Sequence, residues 1–184
     1  MDTDRALRVV VIGATGNVGT SVVEALSAAG HIGEIVGAAR RPTELAYPKT
    51  RFVVADTTID DIRGLVRGAD VVIHLAWLFQ PTHRPEVTWN NNVLGAIRVF
   101  EAVADERVPA LVYVSSVAAY SPDPSDRAVA EDWPTHGWPG AAYPMEKAYL
   151  ERWLDAEELR HPETRVVRIR PCFLFKRRSA TEQR

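Results

Sequence analysis

Short apolar runs alternate with helix-like segments along most of the chain. Six of these runs have the length of single strands and are rich in β-branched residues: 8–12, 34–39, 51–55, 70–76, 110–116 and 165–170. Their apolar positions are mostly continuous rather than alternating, which is typical of parallel strands that are covered on both faces.

The segments between these runs carry apolar residues at helical spacing. The predicted helices are 17–29, 60–67, 86–105 and 143–160. Gly30 and Gly68 follow the first two helices, where glycine commonly ends a helix. The repeated β-α-β order implies right-handed crossovers. We therefore expect an α/β fold, a Rossmann-like doubly wound parallel sheet in three α/β/α layers.

Two segments depart from this alternation. Residues 121–140 contain four prolines and two tryptophans and predict a long loop after the fifth strand. Trp133 and Trp138 of this loop are either a lid over a site or anchors packed on the sheet. The second segment, 176–184, is a basic tail too short to indicate nucleic-acid binding. The expected organisation is one domain at 1–175, followed by this tail.

Composition narrows the class of protein. With 184 residues, 46% hydrophobic and 25% charged, the chain is an ordinary globular domain. Its net charge of −2 argues against a nucleic-acid surface. Cys172, the sole cysteine, fits a reducing compartment. We see no signal peptide, and the longest apolar stretch, 69–79, is too short to span a bilayer. A cytoplasmic location without membrane partners is expected.

The stretch GATGNVG at 13–19 follows the first strand and opens the first helix. Glycine permits positive φ and a close approach of the main chain to a ligand. The free amides at the helix N-terminus then face an anion such as a diphosphate. Gly19 lies inside the helix, where it lets helix and strand pack closely. A dinucleotide site is predicted, with a tight turn that binds no ligand as the alternative.

The end of the second strand bears on the choice of nucleotide. A carboxylate there would bind the ribose 2′-hydroxyl of NAD, whereas this chain has Arg40 and Arg41. Arginine favours a 2′-phosphate, so NADP is preferred over NAD. The alternative is that both arginines only form a solvated strand end. Asp56, after the third strand, is placed to accept from the adenine amino group, or else it caps a turn.

A Tyr–Lys pair lies four residues apart in YPMEK, with Tyr143 and Lys147 on one helix face. An ammonium near a phenol lowers the phenol pKa and suits it to acid–base work. Ser116 ends the fifth strand, where open α/β sheets place their ligand crevice. Its hydroxyl can hold a substrate oxygen beside the phenol. By itself YxxxK is a common accident. No cluster of His, Cys or Asp has ligand spacing, so we expect no metal, and His74 is read as a core or cleft-edge residue.

In order and spacing, the chain resembles an extended short-chain dehydrogenase/reductase of the NAD-dependent epimerase/dehydratase kind. The matching elements are GATGNVG (13–19), ADTT (55–58), VIHLAW (72–77), NNVLGAIRVFEAV (91–103), VYVSSVAAY (112–120), YPMEK (143–147) and RIRP (168–171).

The resemblance implies a role for each matching residue. Tyr143 would be the general acid/base, Lys147 would lower its pKa and hold the nicotinamide ribose, and Ser116 would bind the reacting oxygen. Asn92 falls at the family's asparagine in the fourth helix. The implied cofactor contacts are Gly13, Ala14, Thr15, Gly16, Asn17, Val18, Gly19, Arg40, Asp56, Thr57, Leu75, Ala76, Tyr143 and Lys147.

The implied chemistry is hydride transfer at a carbinol or carbonyl carbon of a small molecule, for example a nucleotide sugar. Family members also form homodimers. The helices at 86–105 and 143–160 either pair with a second subunit in this way or use their apolar faces only in the core. Pro144 directly after the tyrosine is acceptable only at the first position of a helix. Glu146 replaces a frequently small residue and is not expected to face Lys147.

Family members extend further than this chain, so we expect the substrate domain to be largely missing. The alternative function is an NAD(P)-binding sensor or truncated fragment without turnover.

Overall fold

Six parallel strands form the sheet of the computed structural model, which describes residues 5–79, 83–123, 125 and 128–176. The strands are β1 Leu7–Ile12, β2 Ile32–Ala39, β3 Thr50–Val54, β4 Val71–His74, β5 Ala110–Val114 and β6 Arg165–Ile169. Their spatial order is β3-β2-β1-β4-β5-β6, which places the reversal of strand order between β1 and β4. This order confirms the predicted doubly wound sheet. Residues 177–184 of the predicted tail lie outside the described residues.

Five α-helices connect the strands within the described residues: α1 Asn17–Ala28, α2 Ile62–Val66, α3 Pro85–Thr88, α4 Gly95–Asp105 and α5 Ala142–Arg160. A π-helical stretch, Trp89–Leu94, joins α3 to α4, and a 3₁₀ turn, Val117–Ala119, follows β5. The prediction of a single α-helix over 86–105 is therefore wrong in one respect. Its middle is a π-helix, a wider turn that often occurs at functional sites.

Helix ends follow local chemistry, with one correction. Gly68 adopts φ +69° directly after α2, as its predicted stop requires. The helix α5 begins at Ala142, so Pro144 stands at its third position rather than its first. The amides of a first helical turn have no intrahelical acceptor, and a proline there removes no hydrogen bond. Tyr143 is thus held in the opening turn of α5.

The sheet is covered on both faces because successive strand residues point to opposite sides. Val9 and Val11 pack with Val23 of α1 on one face. Val10 and its neighbours pack with Phe100 of α4 on the other, where α2 and α5 also lie. These layers confirm the predicted α/β/α arrangement. Within the part of the chain that the structure describes, no helix is long and apolar enough to cross a membrane.

Candidate active site at the carboxyl edge of the sheet

The strand register brings the predicted site residues to one edge. Ile12 of β1 pairs with His74 of β4, and His74 pairs with Tyr113 of β5. The chain segments that follow these three residues therefore leave the sheet side by side. They carry the glycine loop 13–19, the segment 75–79 and the turn at Ser116. Sequence spacing predicted the members of this edge, and parallel pairing brings them together.

The glycine loop packs directly on the segment after β4. Gly13 has φ +88°, and a Cβ on this residue would lie 2.7 Å from the backbone nitrogen of Ala76. Its own amide donates to the Ala38 carbonyl at 2.9 Å. Leu75 and Ala76, both predicted to line the cofactor cleft, are therefore in contact with the loop. A side chain at position 13 has no room.

The N-terminus of α1 packs closely against the glycine loop. A Cβ on Gly19 would lie 2.1 Å from the Gly13 carbonyl oxygen, so helix and loop are in direct contact, as predicted. Gly16 is the N-cap residue and supplies no side-chain acceptor to the first amides of α1. This cradle fits a diphosphate, whose oxygens would accept from those amides. Ala14 is buried beneath it, while Thr15 and Val18 are partly exposed.

Asn17 and Thr20 of α1 contact the end of the described chain. The Asn17 amide nitrogen donates to the Leu174 carbonyl at 2.8 Å. The Lys176 ammonium donates to the Thr20 hydroxyl at 2.6 Å. These contacts add a cation near the mouth of the glycine loop.

At the β2–β3 end of this edge, Arg40 is exposed and donates to Asn91 Oδ1 at 3.2 Å. Asp56 Oδ1 accepts from the backbone nitrogen and the hydroxyl of Thr58, at 2.8 and 2.7 Å. Burial favours a higher pKa for Asp56, but these hydrogen bonds and the Arg40 charge hold its pKa below the ordinary value. Asp56 therefore organises its own turn, as the alternative interpretation expected. Thr57 packs against Gly95, where a Cβ would lie 2.6 Å from the threonine hydroxyl oxygen.

Ser116 lies beside Tyr143, close enough for its hydroxyl to lower the pKa of the phenol. Ser116 Oγ also accepts from the Ala118 amide at 3.1 Å, which fixes the hydroxyl at the start of the 3₁₀ turn. Two aromatic rings flank Tyr143, Trp77 edge-on at 5.4 Å between centroids and Phe79 stacked at 5.5 Å. Burial raises the pKa of Tyr143, and Ser116 only partly opposes this. The phenol is therefore protonated at neutral pH.

Lys147 is 4% exposed and points into the sheet edge. Its Nζ donates to the Val114 carbonyl at 2.8 Å and lies 3.5 Å from the centroid of the Trp77 ring. Burial lowers the pKa of Lys147 to about 7, against the opposing charges of Glu151 and Glu146. Nζ is 5.9 Å from the Tyr143 ring centroid. Burial and Ser116 are the causes of the Tyr143 pKa shift, so the expected lowering of that pKa by Lys147 is not seen.

Asn92 and Glu146 meet in the interior. Asn92 Nδ2 donates to Glu146 Oε2 at 2.8 Å, and the Asn92 side chain also bonds both backbone groups of Leu78. Glu146 is 4% exposed, a burial that the sequence did not indicate. The position of Glu146 next to Lys147 gives no sign of its role, but its distance along the helix from Tyr143 does. Glu146 lies three residues after Tyr143, which places both on one side of α5.

Glu151 anchors the far side of α5. Its side chain is 1% exposed, and its two oxygens accept from Arg170 Nε and Nη2 at 2.9 and 3.0 Å. Burial favours a raised pKa for Glu151, yet the hydrogen bonds and the charge of Arg170 keep the pKa lowered. Arg170 also donates to the Tyr120 hydroxyl at 3.1 Å. This network joins β6, α5 and the segment after Ser116.

Four aromatic residues bear on the predictions for the site, with different outcomes. Trp77 and Phe79 were missed as site residues, and only their position just past a strand end could have indicated them. Trp133 of the long loop donates its indole N–H to the Ser121 carbonyl at 3.1 Å, a contact within the same loop. Trp138 is 58% exposed. Among the described residues, no group of three or more His, Cys, Asp and Glu side chains has metal-binding geometry.

Comparison with known proteins assigns the family. The sequence model of the NAD dependent epimerase/dehydratase family matches residues 9–183. The chain therefore belongs to this family.

Two curated relatives illustrate its range. UDP-glucose 4-epimerase from Yersinia pestis is 30% identical over 120 residues, covering 64% of this chain and 35% of the relative. A second relative, from Stigmatella aurantiaca, is 4-hydroxy-2-methyl-3-oxo-4-farnesyl-3,4-dihydroquinoline-1-oxide ketoreductase. It is 27% identical over 175 residues, covering 92% of this chain and 51% of its own length.

Solved structures share the fold. UDP-glucose 4-epimerase from Thermus thermophilus, in complex with NAD, superposes with a TM-score of 0.74 at 26% identity, covering 89% of this chain and 54% of that one. UDP-N-acetylglucosamine 4-epimerase from Methanobrevibacter ruminantium reaches a TM-score of 0.78 at 20% identity, with 90% and 55% covered, which shows the fold alone. This chain thus spans between 35% and 55% of the length of these four proteins.

Proposed function

We propose that this chain binds an NAD-type dinucleotide and contributes the catalytic edge of an enzyme that transfers hydride at a carbinol or carbonyl carbon. One observation carries the proposal. The neighbouring side chains of Ser116 and Tyr143, with Lys147 close by, lie on the same sheet edge as the glycine loop and the N-terminus of α1, which has no side-chain cap. Membership of the NAD dependent epimerase/dehydratase family supports it.

The residues suggest a division of labour. The amides of 13–19 would hold the diphosphate, with Leu75, Ala76 and Lys147 at the nicotinamide-ribose side. The bound cofactor would supply or accept hydride. Tyr143 keeps its proton at neutral pH because burial raises its pKa. It would therefore donate that proton to a carbonyl oxygen held by the Ser116 hydroxyl. In the reverse reaction the phenol would first have to be deprotonated, so that it could accept the proton of the substrate hydroxyl.

NADP is the cofactor that Arg40 favours. The end of β2 carries Arg40 and Arg41 and no carboxylate for a ribose 2′-hydroxyl. Arg40 is exposed at the carboxyl edge, where it can pair with a 2′-phosphate. The Thermus relative is described as a complex with NAD, which supports NAD as the alternative.

The substrate proposed is a small molecule with a carbinol or carbonyl group. A nucleotide sugar is favoured, because the Yersinia and Thermus relatives are UDP-glucose 4-epimerases. A ketone substrate is the second candidate, since the Stigmatella relative is a ketoreductase.

A homodimer through the α4 and α5 side is also proposed. Trp89 and Tyr149 contact each other at 4.9 Å between ring centroids and remain 37% and 42% exposed. An exposed aromatic pair of this kind suits an interface. Light scattering of wild type and Tyr149→Lys should show a dimer that the substitution weakens, and a monomer in both would refute it.

Titration and turnover together test the hydride-transfer proposal. NADH and NADPH are titrated into wild type and Tyr143→Phe. Turnover of UDP-glucose is followed by chromatographic separation of the sugar nucleotides, because epimerisation causes no net change in reduced nicotinamide, and turnover of simple ketones is followed by reduced-nicotinamide absorbance. Tyr143→Phe keeps the ring contacts with Trp77 and Phe79, so cofactor affinity should change less than about twofold while turnover falls by about 100-fold or more. Wild type that binds without turnover would favour the sensor, and wild type that binds neither dinucleotide would refute the proposal.

A further inference from the structure

Glu146 is a buried carboxylate whose place in the site is not explained by Ser116, Tyr143 or Lys147 alone. Its Oε2 accepts a hydrogen bond from Asn92 Nδ2 at 2.8 Å, and both side chains are at least 96% buried. Leaving a buried carboxylate without a donor is costly, so this hydrogen bond strongly favours the observed pairing.

The Asn92 amide has no freedom to turn over. Its Oδ1 accepts from the Leu78 amide at 2.7 Å, while Nδ2 donates to the Leu78 carbonyl at 2.9 Å and to Glu146. The two N–H groups of an amide are thereby used on two acceptors. Rotation by a half-turn would set Oδ1 against the Leu78 carbonyl and the Glu146 carboxylate. Glu146 therefore helps to fix the orientation in which the Asn92 side-chain amide hydrogen-bonds to the Leu78 backbone.

Leu78 sits between the two rings that flank the reactive side chains. Trp77 lies over the Lys147 ammonium at 3.5 Å, and Phe79 stacks on Tyr143 at 5.5 Å between centroids. A shift of the Leu78 backbone would move both rings, because each is attached to a neighbouring residue. The contact with Asn92 is the connection between these rings and the π-helical stretch Trp89–Leu94.

We propose that Glu146 is a positioning residue: acting through Asn92, it holds the Leu78 backbone, and with it Trp77 and Phe79, against Tyr143 and Lys147. The expected effect of Glu146 on dinucleotide binding rests on the proposed function. The contacts among Glu146, Asn92 and Leu78 lie within the chain itself.

Glu146 also contributes negative charge near Lys147, which must be separated from the hydrogen bond. The titratable groups around Lys147 are Glu146, Glu151 and Tyr143 from its own helix, Tyr113 of β5 and His74 of β4. Glu146→Gln removes the charge and keeps an acceptor for Asn92. Glu146→Met removes both at similar length, and Glu146→Ser is a second variant if the methionine form does not fold.

Hydrogen exchange at the Leu78 amide tests the inference without any cofactor. Glu146→Met should lower protection at Leu78 about tenfold relative to wild type, and Glu146→Gln by less than about threefold. The Leu111 amide in the centre of β5 reports global stability, and Glu101→Met on the exposed side of α4 is the matched control. Unchanged Leu78 protection in Glu146→Met, or equal losses in the methionine and glutamine forms, would overturn the proposal.

The same variants are then titrated with NADH and NADPH. Glu146→Met should weaken binding about fivefold to tenfold, with Glu146→Gln within about twofold of wild type. Unchanged affinity in a Glu146→Met protein with reduced Leu78 protection would overturn the positioning role. Wild type that binds neither dinucleotide refutes the proposed function instead, while the Leu78 exchange still decides the role of Glu146.

Discussion

The ammonium nitrogen of Lys147 lies 3.5 Å from the centroid of the Trp77 ring. Trp77 therefore has two opposing effects on the pKa of Lys147. Its π face attracts the cation, an effect of about 2 kcal/mol in a desolvated setting. Its bulk also excludes water, which disfavours the cation. Burial lowers the pKa of Lys147 to about 7, and Trp77 is one of the groups that bury it, so we expect exclusion of water to be the larger of the two effects.

Trp77→Ala should consequently raise the Lys147 pKa. Water entering the vacated space restores part of the hydration of the ammonium, and the rise should be about one unit or more. The measurement is an NMR titration of the Lys147 side-chain resonances. Trp138→Ala, which alters an exposed ring, should leave that titration unchanged. A lower Lys147 pKa in Trp77→Ala would show that the ring stabilises the cation more than it dehydrates it.

Gly19→Ala should damage both the fold and the dinucleotide site. The added methyl would lie 2.1 Å from the Gly13 carbonyl oxygen, so α1 must move away from the loop. We expect a loss of about 2 to 3 kcal/mol in the free energy of unfolding, together with loss of NADH and NADPH binding. Denaturant unfolding and cofactor titration check these outcomes.

Gly30→Ala is the matched control for Gly19→Ala, because a Cβ at Gly30 meets nothing within 4 Å. Its unfolding free energy should stay within about 0.5 kcal/mol of wild type, with cofactor binding intact. If both alanine variants behaved alike, close packing at Gly19 would not be what the glycine loop needs.

Arg40→Asp should change the preference between the two dinucleotides. The wild type is expected to bind NADPH more tightly than NADH, and the substitution should narrow or reverse this ratio by about tenfold. The readout is the ratio of dissociation constants. Arg107→Asp makes the same charge change at an exposed position before β5, at the opposite edge of the sheet, and should preserve the ratio. Equal ratios in wild type and Arg40→Asp would remove Arg40 from cofactor choice.

His74 should make the protein sensitive to acid. Burial lowers its pKa from 6.5 to about 3, with a smaller contribution from the Lys147 charge. Between those pH values the unfolded chain binds more protons than the folded one, so stability falls as pH drops below about 6.5. At about pH 4.5 the burial of neutral His74 should lower the free energy of unfolding by about 2 to 3 kcal/mol relative to neutral pH.

His74→Leu should remove that dependence. The difference in unfolding free energy between about pH 7 and about pH 4.5 should shrink by about 2 to 3 kcal/mol. His31→Leu changes an exposed histidine and should leave the difference near its wild-type value. An unchanged pH dependence in His74→Leu would mean that other groups cause the loss of stability in acid.

Local sequence patterns were sufficient to predict the strands, most of the helices and the glycine positions at the carboxyl edge of the sheet. The six strands and the first and last helices were predicted to within a few residues, because apolar period and glycine punctuation act over short distances. Gly19 was predicted as a point of close packing for the same reason, and the structure leaves no room for a Cβ there or at Gly13.

Side-chain partners depended on the tertiary structure. Asn92 meets Leu78 across 14 residues and Glu146 across 54, and no periodic signal encodes such separations. The environment of Lys147 is decided by packing too, since Trp77 and Val114 reach it from two different strand ends. The sequence by itself determined the order of strands and helices and the backbone positions that must be glycine. Only the folded sheet decided which charges are buried and what they touch, because desolvation and long-range contact do not exist until the strands are paired.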